Sequence, residues 1–350
     1  MSVTSITARF PIRYYLGKLR AKVQRRFSAR AAILMYHRVF DTRTDPWSLC
    51  VKPANFAAQL QVLEQGFCVL PLAELVAAQQ TGCLPDRAVA ITFDDGYVDN
   101  LLYALPLLEQ AQLPATFFIA SGYVGEQREF WWDELERYLL QPGPLPAQLS
   151  LTIRGERLCW SLDETAGDSA TGETDRGGEK LWQSPLRSRP ALYYSLWQRL
   201  YPLPHQERQE LLAVIANWAG VRLEGRPSHR AMTQAELRRF AQHPLVTIGG
   251  HTVTHPALAA HDVSTQRQEI FANKENLEQL LGQPMTSFSY PHGDFTTETA
   301  ALVREAGLSH ACTVVAEPVW QGSQPFALPR FAVEDWPGDA FARRLDQWLA

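Results

Sequence analysis

Three short stretches bring together residue types that can do hydrolytic chemistry. The first, AVAITFDDGYVDN (Ala88 to Asn100), is an apolar run that ends in Asp94, Asp95 and Gly96. Buried strands of parallel α/β folds present the groups at their carboxyl ends to a ligand crevice. Successive side chains of a regular strand point to opposite faces, so both carboxylates reach one cleft only where the chain turns, as Gly96 permits. Alternatively, one Asp caps the helix that starts near Asn100 and the other is solvated. The second stretch, IGGHTVTHPAL (Ile248 to Leu258), ends an apolar run in His251 and His255. That spacing puts both imidazoles on one face of a helical turn, which Pro256 keeps short, although each can equally satisfy a local hydrogen bond. The third, SFSYPHGDF (Ser287 to Phe295), is a strand followed by a turn. Its backbone N–H groups can face the same cleft and stabilise an oxyanion, unless it is an ordinary Pro/Gly turn.

In combination the stretches mean more than each does alone. Two imidazoles and one carboxylate, all at strand carboxyl ends, make a three-ligand set with open positions, as in a catalytic rather than a structural zinc site. The second carboxylate is then available as a base toward water.

The elements that must position these groups alternate along the chain. Strands are expected at Ala32–Tyr36, Phe67–Leu70, Ala88–Phe93, Ala115–Ala120, Val246–Ile248, Ser287–Tyr290, Ala311–Val315 and Ala327–Val333. Helices are expected at Pro53–Gln65, Leu72–Gln80, Asn100–Gln110, Thr233–Gln242, Ser264–Leu281 and Thr297–Ala306, the fourth opening with a Thr233/Glu236 capping box. Such alternation with near-continuous apolar strands reads as a parallel sheet, open or closed into a barrel. It breaks between about residues 125 and 230, where FWWDELERYLL and ALYYSLWQRLYPL read as aromatic-rich helices flanking a polar, Gly-rich and acidic loop. This part is read as an insertion whose Trp131, Trp132, Trp182 and Trp197 either shape a substrate groove or form its own core.

TFDDGY, HTVTH and YPHG resemble, in order, the first three motifs of polysaccharide deacetylases, the family sharing the NodB homology domain. The resemblance covers roughly residues 31–120 and 231–335. It implies a distorted, incomplete (β/α) barrel, a divalent metal at the barrel mouth, usually zinc, and removal of acetyl groups from N-acetylated sugars. Carried over residue by residue, it makes Asp95, His251 and His255 the metal ligands and Asp94 the catalytic base. Where the family has Arg, Pro, an aromatic residue and Gly, this chain has Tyr290, Pro291, His292 and Gly293. The backbone N–H role in holding the oxyanion survives at His292. The family's arginine partner of the base is missing from this motif, and Arg330 in LPRFAVEDW is the candidate to replace it.

A fourth motif ending in Asp-Trp corresponds to Asp335-Trp336, which implies that Trp336 walls the pocket for the acetyl methyl; otherwise it is a surface aromatic. The fifth, which supplies a histidine as general acid, has no counterpart, because no histidine follows Trp336. In one branch of the family, similar to the exopolysaccharide deacetylases of biofilms, the barrel is circularly permuted. AILMYHRVF, which ends its apolar run at His37, then supplies the acid, and an imidazole is the right type for proton donation near neutrality.

Composition sets wider bounds. The 350 residues are 46% apolar and 20% charged with a formal net charge of −4, which gives no reason to expect a nucleic acid partner. The five dispersed cysteines, without a CxxC pair, argue against a disulfide framework or a cysteine zinc site. No stretch reads as a membrane span or secretory signal, so a cytoplasmic location is expected. Residues 1–30 carry eight basic and no acidic residues with interleaved apolar ones, either a basic amphipathic helix at the inner face of a membrane or a solvated terminus. Residues 31–350 then form the deacetylase-like domain. Two other readings stay open, a deacylase of a cytoplasmic lipid-linked or nucleotide-linked sugar, and a non-catalytic carbohydrate-binding protein on the same scaffold.

Overall fold

A computed structural model describes residues 29–163 and 181–350. The expected basic N-terminal helix and nearly all of the acidic loop lie outside the described residues. Among the described residues no helix is long and apolar enough to cross a membrane.

Thirteen strands are described: β1 (Arg30–Tyr36), β2 (Arg38–Val39), β3 (Cys50–Val51), β4 (Cys68–Val69), β5 (Ala88–Phe93), β6 (Ala115–Ile119), β7 (Gln148–Ile153), β8 (Glu156–Ser161), β9 (Val246–Gly250), β10 (Ser287–Ser289), β11 (His310–Cys312), β12 (Val319–Trp320) and β13 (Phe331–Ala332). The main sheet runs β11-β10-β9-β6-β5-β1-β12, with β4 against β5 and β13 against β1. All its pairings are parallel except β1 with β12. Every residue of β5 is buried, as expected of a strand covered on both faces. Helices Pro53–Gly66, Leu72–Thr81, Gln234–Ala241, Val263–Leu281, Thr297–Glu305 and Gly338–Leu349 belong to this part of the chain.

Parallel registration brings the strand ends level. Tyr36 pairs with Phe93, Phe93 with Phe117, Ile119 with Gly250, and Ser289 with Cys312. The residues that follow, including His37, Asp94, His251 and Tyr290, therefore emerge at one mouth. The expected strand Ala327–Val333 is regular only at Phe331–Ala332. Its irregular part spans two sheet edges. The Leu328 N–H donates to Ala311 O at 2.9 Å, and the Val333 N–H donates to Met35 O at 3.0 Å. The segment thus laces β11 to β1, so the sheet is a curled, incomplete (β/α) barrel closed by an irregular stretch of chain.

The insertion has its own apolar cluster. Helices Trp131–Leu139, Arg189–Leu200 and His205–Ala219 pack with the antiparallel hairpin β7–β8 around Trp131, Tyr138, Tyr193 and Leu196. The hairpin and the third of these helices were not expected from the sequence. β7 alternates exposed and buried residues, and Arg154 and Gly155 turn with positive φ (49° and 83°), which matches the twist of a two-residue hairpin.

Candidate metal centre and active site

Asp94 continues β5, and its N–H donates to Tyr36 O at 3.0 Å, which keeps β1 and β5 in register up to the site. The chain then reverses at Asp95 (φ 76°) and Gly96 (φ 87°). Asp95 itself takes the left-handed conformation, beyond the turn expected at Gly96, and this is how two adjacent carboxylates reach one cleft. A Cβ on Gly96 would meet Ile119 Cδ1 at 2.8 Å, so only glycine suits both the space and the φ. Thr252, His255 and His292 also have positive φ (64°, 54° and 58°), a concentration of costly backbone typical of functional sites.

Asp95, His251 and His255 offer ligand atoms that all lie within 4.8 Å of one another. Both Nε2 atoms face the same carboxylate oxygen, His251 at 3.5 Å and His255 at 3.3 Å. His251 Nδ1 lies 2.7 Å from Ser289 O. A carbonyl only accepts, so Nδ1 carries the proton and the Nε2 lone pair faces the centre. Asp95 Oδ1 is buried without a hydrogen-bond partner. Burial pushes the Asp95 carboxyl above its usual range, only partly opposed by His37 and His251. An orphaned carboxylate oxygen between two imidazole Nε2 atoms fits a divalent cation.

Asp94 has the opposite environment. Arg330 donates from Nη1 to one of its oxygens and from Nη2 to the other, each at 2.7 Å, a bidentate buried pair. Burial alone would raise the Asp94 carboxyl, but Arg330, then His251, hold it well below the usual carboxylate range. Arg330 is itself fixed by Thr313 O at 2.9 Å, Thr92 Oγ1 at 3.1 Å and Ser289 Oγ at 2.8 Å. The stretch that closes the barrel therefore carries the guanidinium that keeps Asp94 ionised.

His37 sits at the end of β1, one register step beyond the Tyr36–Phe93 pair and so beside Asp94. Its backbone is clamped from both sides. Asn100 Nδ2 donates to His37 O at 2.9 Å, while Asp99 accepts from Arg38 Nε at 2.8 Å and from the Val39 N–H at 3.1 Å. Burial lowers the His37 pKa, opposed by Asp95 and Asp94.

These groups open into a cavity of about 170 Å³ lined by His37, Asp94, Asp95, His251, His255 and His292, with Trp47, Leu49, Trp132, Trp197 and Val314 as the apolar wall. Trp336 is not in that wall, which corrects the sequence expectation. It packs near Trp348 (6.1 Å between rings) under the Arg344 guanidinium (3.9 Å), while Asp335 caps helix Pro53–Gly66 through the Lys52 N–H. The insertion supplies Trp132 and Trp197 to the wall instead. Of the Tyr290–Gly293 turn, only His292 lines the cavity. Tyr290 is buried with its hydroxyl donating to Phe326 O at 3.0 Å, and Pro291 is buried. Gly293 turns with φ 70°.

Sequence reasoning missed several supports. Glu269 accepts from the Val253 and Thr254 N–H groups at 2.8 Å each and from Thr254 Oγ1 at 2.6 Å, holding the loop between the two histidines. Asn273 Nδ2 donates to Ile119 O at 3.0 Å. Asp99 and Asn100, polar residues in a buried helical start, were the visible signal for the clamp around His37.

A family model described as polysaccharide deacetylase matches residues 81–142 and 210–311. The matched residues include Asp94, Asp95, His251, His255 and the Tyr290–Gly293 turn, but neither His37 nor Arg330. A poly-beta-1,6-N-acetyl-D-glucosamine N-deacetylase of Staphylococcus aureus is 32% identical over 112 residues, 28% of this chain and 38% of that protein. The chain thus aligns to little more than a third of that relative. The Streptococcus pyogenes deacetylase PplD superposes with a TM-score of 0.57 at 17% identity, covering 92% of this chain and 99% of the other. IcaB from Ammonifex degensii gives the same TM-score and identity, covering 92% and 98%. At that identity both show a shared fold.

Proposed function

From the premise that the chain belongs to the polysaccharide deacetylase family, we propose that it is a divalent-metal-dependent hydrolase of the N-acetyl group of an amino sugar, in a polysaccharide or glycoconjugate. The observation that carries this reading is the meeting, at one barrel mouth, of an orphaned Asp-His-His set with an ionised Asp94 locked by Arg330. Asp95, His251 and His255 would hold the cation, with zinc the first choice for two imidazoles and one carboxylate. The cation would supply Lewis acidity toward the amide carbonyl.

The chain's own residues account for the proton movements. Asp94, kept ionised and aimed by Arg330, takes a proton from the water that attacks the amide carbon. The His292 backbone N–H donates to the oxygen that gains charge. His37, at the end of the strand that pairs with the closing segment, gives a proton to the departing amine nitrogen as the C–N bond breaks, leaving acetate and a free amino sugar. Circular permutation explains why the first strand carries this acid.

The test is acetate release from N-acetylglucosamine oligomers, alongside metal analysis of the purified protein. The β-1,6-linked polymer named for the S. aureus relative is the first substrate to try. Asp95→Ala should lose both metal and activity, and His37→Ala activity alone. Full turnover by His37→Ala would remove it as the acid. Cytoplasmic placement at the inner face of a membrane is part of the same proposal, and liposome binding with and without residues 1–30 tests it.

A further inference from the structure

An aromatic stripe leads out of the cavity along the insertion. On helix Arg189–Leu200 and its C-cap, Tyr194, Trp197 and Tyr201 recur at i, i+3 and i+7, which aligns them on one face. Trp197 and Tyr201 lie 4.8 Å apart between ring centroids, and Tyr201 lies 4.8 Å from His292 at the inner end. Trp47 bridges the next step, 4.5 Å from Trp197 and 6.3 Å from Tyr194. Trp182, 55% exposed, lies 6.3 Å beyond Tyr194. The core of the insertion is filled by Trp131, Tyr193 and Leu196, which are fully buried, and Trp47, Trp197 and Tyr201 pack against it from its edge. Tyr194, Trp197, Tyr201 and Trp47 remain only half-buried. A run of large, partly exposed rings continuous with a ligand cavity marks a binding surface.

We propose that this stripe is an extended subsite on which a polymeric amino-sugar chain lies while one of its residues occupies the cavity. The proposal rests on the deacetylase reading and adds that the enzyme selects chains over single sugars. A pyranose ring offers an apolar C–H face to an aromatic ring and leaves its hydroxyls to water, and successive sugars of a chain can step from ring to ring. A nucleotide-linked monosaccharide would bring charged phosphates onto the same apolar rings. Trp182 and Tyr194 are thus specificity-determining residues, remote from the reacting atoms.

The experiment measures deacetylation and direct binding for N-acetylglucosamine oligomers of increasing length, using wild type, Trp182→Ala, Tyr194→Ala and Trp182→Phe. Wild type should bind longer oligomers more tightly than the disaccharide. Each alanine variant should raise KM for the longest oligomer by about two- to tenfold more than for the disaccharide. Trp182→Phe should restore most of the length preference, which separates stacking from a folding defect. Equal binding of all lengths by wild type, or alanine variants that change all lengths equally, would overturn the stripe. Should wild type release no acetate at all, the deacetylase reading fails by itself, while oligomer binding still decides the stripe.

Discussion

Two fully buried arginines show how differently the barrel and the insertion are built. At the barrel mouth Arg330 makes five hydrogen bonds, reaching Asp94, Ser289, Thr92 and Thr313 at the ends of β5, β10 and β11. In the insertion Arg208 makes one, from Nη2 to Thr254 O at 3.3 Å, and its Nε and Nη1 have no partner. It rests over Trp131, 5.0 Å from the ring. Burial raises no difficulty for Arg330, whose pKa the Asp94 carboxylate lifts despite desolvation, whereas desolvation lowers that of Arg208. The barrel thus fixes charge where chemistry needs it. At Arg208 the insertion sets a loosely held guanidinium over an aromatic ring, whereas its Arg189 and Arg226 are hydrogen-bonded. On the stripe proposal, chemistry falls to the barrel and recognition to the insertion.

The largest test of that contrast is Arg330→Met. It strips Asp94 of its only bidentate partner inside the barrel and leaves a buried carboxylate without its cation. Loss of about 3–5 kcal/mol of stability is expected in urea denaturation. Acetate release should fall by about 10²–10⁴, because a base that must desolvate or protonate no longer takes a proton from water. A variant with near-normal turnover would show that Asp94 needs no partner, and the distinction between the two regions would lose its main support.

Next in size is Glu269→Ala. This carboxylate reaches the site only through the backbone between His251 and His255. Removing it should weaken metal binding by about 10–100-fold with the ligands themselves intact, as for other groups that orient ligands from behind. Competition with a chelator reads this directly. Unchanged affinity would mean that the strained φ at Thr252 and His255 is held without this carboxylate.

The legibility of these features in the sequence follows their range along the chain. β5 was readable to the residue because a buried parallel strand is a continuous apolar run, and the Thr233/Glu236 capping box because its hydrogen bonds span three residues. The ligand types were readable because each ends such a run. The Arg330–Asp94 contact was offered only through the family resemblance, because it spans 236 positions and depends on an irregular segment that no periodicity announces. Trp336 was misplaced because a motif correspondence says nothing about which way a side chain packs. Trp47 and Trp132 reach the cavity through tertiary packing of the insertion, which aromatic content alone could not specify. The β7–β8 hairpin carries a signal in the sequence, alternation around Arg154-Gly155.

A smaller effect tests the barrel by pH. His310 on β11 is buried, with Nδ1 2.8 Å from Ser309 Oγ, and desolvation lowers its pKa to about 4. The unfolded chain therefore binds this proton more readily than the folded one. Stability from the neutral imidazole is fully present above pH ~6.5 and is lost as pH falls toward about 4. His310→Asn should flatten that part of the stability profile by on the order of 1–3 kcal/mol, measured as the midpoint of urea unfolding at each pH. An unchanged acid limb would assign the loss to other histidines, of which half-buried His205 in the insertion, also lowered to about 4, is the first to replace.

The smallest expected effect returns to Arg208. A buried guanidinium with one hydrogen bond contributes little net stability, since its Coulomb and hydrogen-bonding gains barely offset the cost of leaving water. Methionine keeps the stem over Trp131 and removes the charge. Arg208→Met should therefore change stability by no more than about 1 kcal/mol, in either direction, where the same exchange at Arg330 costs several. Thr254 O loses its donor, so a modest rise in the metal dissociation constant, smaller than that for Glu269→Ala, should accompany it. If Arg208→Met proves as damaging as Arg330→Met, the insertion holds the metal loop as firmly as the barrel does. The two regions would then share the positioning of His255, and variation in the insertion would change chemistry as well as recognition.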